Sequence, residues 1–178
     1  QLNIGGWITG LAGKIGIGEA DPDNRLDVDL SITGEGSQEG GIKIQNSHGE
    51  NADIAPLYFG VHGGTRRTKA AIGLKRTGSY GVGDLIFAVD SNTDDANVTF
   101  ANDEKMRIDS SGNLLVGKTS GSIGATGTAI YGGSNEGLIE STRDGANVMK
   151  LNRLSSDGDI AVFAKAGTTV GSIGANGG

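Results

Sequence analysis

Gly112-Asn113-Leu114-Leu115-Val116-Gly117-Lys118-Thr119 satisfies the phosphate-loop pattern G-x-x-x-x-G-K-[ST] at every required position. A working loop of this kind leaves a buried strand, turns backbone N–H groups onto the phosphates and runs straight into a helix whose N-terminus favours the anion. The residues beyond Thr119 do not allow that helix. SGSIGATGTAIYGG carries five glycines in fourteen residues, and each glycine inside a helix costs about 1 kcal/mol against alanine. Within the pattern, Leu114, Leu115 and Val116 are bulky where a phosphate cradle needs small residues and open amides; they suit a strand. Leu85-Ile86-Phe87-Ala88-Val89-Asp90 has the composition of a magnesium-holding strand. It precedes the motif, however, and the glycine-free span between them is rich in Asn, Asp and Thr without a helical stripe. The match is read as fortuitous, and no nucleotide is expected.

Other residue types capable of chemistry give no complete set. His48 and His62 each stand beside glycine in an expected turn, and neither a G-x-S-x-G elbow nor a cysteine nucleophile accompanies them. The carboxylate pairs Glu136 with Glu140 and Asp21 with Asp23 have the types needed for glycoside hydrolysis, but their separation in space is not readable from spacing. Asp90-Ser91-Asn92-Thr93-Asp94 begins like a calcium-binding EF-hand loop, then fails where Asp95 replaces the turn glycine and Ala101 the bidentate glutamate. That acidic turn is expected to be solvated. Sugar binding is the strongest functional rival. The stretch from Tyr58 to Arg67 carries an aromatic, His62, the pair Gly63-Gly64 and the basic residues Arg66 and Arg67, and is the one place where receptor contact is expected. No enzyme activity, cofactor or metal is expected.

The elements that must position these residues are short strands. Leu26, Val28, Leu30 and Ile32 alternate with Asp27, Asp29 and Ser31, the pattern of a half-buried strand with one wet face. The same period occurs at Ile42 and Ile44, Val98 and Phe100, and Met106 and Ile108. Turn formers lie at Ser111-Gly112-Asn113, Asp144-Gly145, Asp157-Gly158 and Asn176-Gly177. Ala146 to Leu154 has helical spacing but no good cap, and is read as a strand.

Composition says how such strands are to be stabilised. Among 178 residues there are 33 glycines, aromatics make up 4% and AVILMFWYC residues 35%, so the core available to one chain is thin. Glycine loses the most backbone entropy on folding and contributes no side chain to bury. The regular alternation argues against disorder, and the cysteine count of zero removes disulfides as reinforcement, leaving oligomerisation. A net charge of −6 argues against nucleic acid or an anionic membrane as partner. The longest apolar run, Leu85 to Val89, is far short of a membrane span, and LNIGGWITGLAG lacks the basic start and continuous apolar region of a signal peptide. The chain opens at Gln1 and stops inside a repeated phrase, and is expected to be a fragment.

Internal similarity is present. Gly121-Ser122-Ile123-Gly124-Ala125-Thr126-Gly127 returns fifty residues later as Gly171 to Gly177 with one substitution, Asn176 for Thr126. RTGSYGVGDLIF from Arg76 is echoed by RLSSDGDIAVF from Arg153, and KIGIG at 14–18 by NLLVG at 113–117. Modules too small to close a core alone stack along an axis and bury surface against neighbours.

Three phrases, IGIGEADPDNRLDV (15–28), MRIDSSGNLLVGKTS (106–120) and LNRLSSDGDIAVFAKAGTTVGSIGANGG (151–178), resemble the repeat modules of tailed-bacteriophage tail fibres and cover about half of the chain. The chain departs from those modules at Leu114-Leu115-Val116, where Val-Gly-Ile or similar is usual. The resemblance implies an all-β, elongated, intertwined homotrimer of short strands and Gly-rich turns stacked along a fibre axis, often followed by a self-cleaving chaperone domain. It makes 112–119 a turn, a strand and a polar turn. The expected modules are 1–33, a central β-rich 34–105, and 106–178. The expected function is that of a structural spacer in the virion presenting a host-receptor-binding tip, with self and other tail or baseplate proteins as partners. The alternative is a head contacting cell-surface glycan directly.

Overall fold

The computed structural model describes residues 8–11, 14–17, 24, 26–28, 42–61, 67–132 and 137–175. These residues are all-β, with no α-helix among them. The chain divides into two compact units, 1–45 and 46–178. In the first, β1 (Ile8–Leu11) and β2 (Lys14–Ile17) form an antiparallel hairpin with Ile8 opposite Ile17, and β3 (Leu26–Val28) runs parallel to β2 with Leu26 opposite Ile15.

The second unit is built on one antiparallel meander of seven strands: β4 (Ile54–Phe59), β5 (Ala70–Arg76), β6 (Gly83–Val89), β7 (Glu104–Ile108), β8 (Leu114–Val116), β9 (Gly127–Ile130) and β10 (Ile139–Thr142). Each pairs with its neighbours in sequence, so every connection is local. The boundary expected at 105/106 falls inside β7, and the strands on either side of it belong to this one sheet. Pro56, with no N–H to donate, stands on the outermost strand, where a sheet tolerates it. Beyond β10 an irregular stretch, 143–157, leads to the hairpin of β11 (Gly158–Lys165) and β12 (Thr168–Ala175).

The register sorts the sheet into two faces of opposite character. One rung runs Ala55, Leu74, Leu85, Ile108, Leu114, Ile130 and Ile139 across all seven strands; the next on the same face begins Leu57, Ile72, Phe87, Met106 and Val116. This face is open: Leu57, Phe59, Leu74, Val89, Ile108, Val116, Ile130 and Ile139 each leave 42–66% of their surface exposed. The intervening rung, Gly73, Ile86, Arg107, Leu115, Ala129 and Glu140, belongs to the other face, where Ile86, Leu115 and Ala129 have no exposed surface. Loops cover that face. Val98 and Phe100 pack on Ala71 and Ala88, and a β-carbon added at Gly73 would lie 2.7 Å from the Phe100 ring.

The expected wet face is therefore the covered one in this chain. In Met106-Arg107-Ile108 the guanidinium lies inside and the two apolar side chains face out. Period-two alternation distinguishes two faces of a strand without saying which is covered.

Several expected elements differ. Val98 and Phe100 alternate on a loop, because they plug the covered face instead of pairing with a strand. Ile42 and Ile44 are exposed on irregular backbone. Ala146 to Leu154 is neither strand nor helix; a short helix owes its stability to packing, and Val148, Met149, Leu151 and Leu154 leave half or more of their surfaces exposed. Asp144-Gly145 lies in that same stretch, Asp157-Gly158 opens β11, and Asn176-Gly177 lies outside the described residues.

The repeated pentapeptide GSIGA takes two conformations. At 121–125 it is a turn, with Ala125 N donating to Ser122 O (3.1 Å); at 171–175 it is strand, Gly171 facing Phe163 and Ala175 facing Gly158. The partner decides. The Arg76 and Arg153 echo survives as structure: each arginine closes the turn that follows it, Nε of Arg76 on Gly78 O (2.8 Å) and Nε of Arg153 on Ser156 O (2.6 Å), before a Gly-Asp strand start.

Candidate functional site

The phosphate-loop match resolves into a turn at 110–112, strand β8, and a second turn. Asp109 organises the first, its Oδ1 accepting Ser111 N and Asn113 N at 2.9 Å each. Lys118, the residue that would meet a phosphate, is buried and donates from Nζ to Ser122 O (2.8 Å). Its ammonium closes the following turn.

The charges on the covered face are paired, one guanidinium with two carboxylates. Arg107 Nε and Nη2 donate to both oxygens of Glu104 (2.6 Å each), and Nη1 to Asp84 Oδ2 (2.7 Å). Asp84 Oδ1 also accepts Ser110 N at 2.9 Å. The fork of donors on a guanidinium suits two carboxylates at once, and its positive form is stabilised first by the hydrogen bonds to Glu104 and by the Glu104 charge, then by Asp84.

The EF-hand-like loop is exposed from Ser91 to Asp95, as expected, but Asp90 is buried and the loop closes on an ammonium. Lys69 Nζ donates to Asp90 Oδ2 (2.6 Å), Asp94 Oδ1 (2.9 Å) and Asn92 O (3.2 Å). A lysine occupies the position a cation would take, and its three N–H groups meet three oxygens. The hydrogen bonds from Lys69 hold Asp90 and Asp94 below the usual carboxylate range, and those to Asp90 and Asp94 raise Lys69. The signal missed in the sequence was a lysine one strand away, which no local spacing reveals. No group of three His, Cys, Asp or Glu side chains suited to a metal occurs among the described residues.

The expected receptor residues are divided. Tyr58, on β4, packs its ring against Phe100 with centroids 6.3 Å apart and tilted by 56°. Arg67 pairs with Asp95 across the loop. His62 and Arg66 lie outside the described residues, as do Glu136, Asp21 and Asp23. His48 Nδ1 lies 2.9 Å from Asp53 Oδ2, which also accepts Glu50 N (2.7 Å). These contacts close the 46–53 loop, and the Glu50 N–H is the main cause holding the Asp53 carboxyl below its usual range.

No buried side-chain polar atom lacks a partner among the described residues. What is left unsatisfied is apolar: two rungs of aliphatic and aromatic side chains across the open face, far more than the scattered single residues normal on a protein surface. Such a face can do no bond chemistry, but it can bind another apolar face. No known protein family, curated protein or solved structure matches this chain.

Proposed function

We propose that this chain is a structural segment of a homotrimeric viral tail fibre, part of the virion, that spaces and presents a host-receptor-binding tip. The open apolar face of the seven-stranded sheet carries the reading. Fully burying a Val, Leu, Ile or Phe side chain is worth roughly 1.5–3 kcal/mol, so covering the half still open on each of eight such side chains would contribute on the order of 6–12 kcal/mol per chain. That is comparable to the whole stability of an ordinary domain, about 5–15 kcal/mol. Identical chains meeting at one axis are the simplest way to cover it, because each brings the same apolar rungs and no charge stands on the two central ones.

The composition supports the same reading, and so do the three phrases resembling tail-fibre modules. In such a particle the Gly-rich turns connect strands whose interior is formed between chains, and the work is mechanical: stiffness along an axis. Partners are two further copies and the neighbouring tail or baseplate proteins. Sedimentation equilibrium or light scattering on the native protein tests it. Three chains of 18.0 kDa give a particle of 54 kDa; a single-chain mass with a cooperative melt would overturn the proposal.

A further inference from the structure

The hairpin β11–β12 carries a second apolar surface, separate from the sheet face. Cross-strand pairing puts Ala161 opposite Ile173 and Phe163 opposite Gly171 on one side. Val162 and Ser172 face the other way, where Ser172 Oγ donates to Asp159 Oδ1 at 2.7 Å. Phe163 and Ile173 leave 54% and 62% of their surfaces open. Among the described residues, no strand besides its partner pairs with β11 or β12. A two-stranded ribbon by itself is marginally stable at best in water.

Gly171 makes this side complementary to itself. A β-carbon built there meets no atom within 4 Å, so the Phe163 ring does not cover the glycine across from it. An uncovered glycine lies beside a projecting ring, and another copy of the same hairpin offers the same ring beside the same glycine. We infer that this side is a self-association surface whose occupants are the hairpins of two further copies, each Phe163 filling the gap over a neighbour's Gly171. The inference rests on the homotrimer reading above. Two open apolar side chains on this side, Phe163 and Ile173, fall short of the ~1,000 Å² a stable interface needs alone. Residues 143–157 tether the hairpin to the sheet, so association through the sheet face would raise its effective concentration and allow a small surface to engage.

The chain contains no cysteine, so single-cysteine variants of the full chain report proximity cleanly. Ala161→Cys places a thiol on the apolar side and Val162→Cys on the opposite side, one residue apart; Ile173→Cys replaces the first if it does not fold. Each is oxidised under native conditions after its native mass is measured, then run on a non-reducing denaturing gel. The expected result is three-chain particles for both, with at least tenfold more disulfide-linked dimer from Ala161→Cys, since a disulfide needs Cα atoms within about 7 Å. Three-chain particles with equal or no cross-linking at the two positions overturn the hairpin inference and leave the sheet-face reading standing. A single-chain mass overturns both.

Discussion

Arg107 shows how much this fold asks of a single side chain. It holds Glu104 and Asp84 together on the covered face, with about a tenth of its side chain exposed. Removing it leaves two carboxylates with little access to water, which for a buried pair costs about 3–5 kcal/mol. Arg107→Ala is expected to lose stability of that order in urea denaturation. Arg107→Lys should recover only part of it, because an ammonium cannot span both carboxylates as the planar fork does. The Lys69 cradle gives a pH dependence instead. Asp90 and Asp94 titrate below their usual range because Lys69 donates to each. A lowered carboxylate contributes stability that is present above its unfolded pKa and lost as pH falls through the folded one. Melting temperature should accordingly drop as pH falls below about 4, the ordinary carboxylate region. The Asp90→Asn, Asp94→Asn double variant should show a shallower acid limb, and identical limbs would remove the cradle as the cause.

At the level of elements, strand identity was legible where a partner strand lies next in sequence. Met106 and Ile108, Leu85 to Val89, and Leu114 to Val116 all fall in the meander. Local pattern fails where identical residues meet different surroundings: the same GSIGA is a turn against the Lys118 ammonium and a strand against β11. The hairpin turn of β11–β12 also escaped notice, because Ala166-Gly167 is not one of the usual turn pairs. Both residues have positive φ, 49° and 78°, with Lys165 paired to Thr168, the geometry of a two-residue turn that prefers Asn-Gly. An alanine there carries a left-handed penalty of about 1–2 kcal/mol. Asparagine tolerates the conformation better, so Ala166→Asn should stabilise the hairpin by about 0.5–1 kcal/mol. The check is a rise in the thermal midpoint of the native protein; an unchanged or lower midpoint would mean that the turn is not strained as described.

For the molecule as a whole, the thin core that composition implied takes a specific form: the covered face fully buries two large aliphatic side chains, Ile86 and Leu115, beside alanines and paired charges, and most of the sheet's large apolar residues are left open. That inversion was not legible, because alternation gives the same signal whether a face is buried within a chain or between chains. It also yields the sharpest expectation. Ile108 lies in the middle of the open rung, with 42% of its surface exposed, so a charge there is cheap for an isolated chain and expensive for an assembly that covers it. Ile108→Asp should leave strand content of the chain at low concentration little changed by circular dichroism, yet weaken association by at least a hundredfold in sedimentation velocity. The unmodified protein should meanwhile unfold at a urea midpoint that rises with chain concentration, because association draws on folded chains and not on unfolded ones. A midpoint constant over a hundredfold range of concentration, with Ile108→Asp sedimenting like the parent, would mean that the apolar face is stable in water on its own.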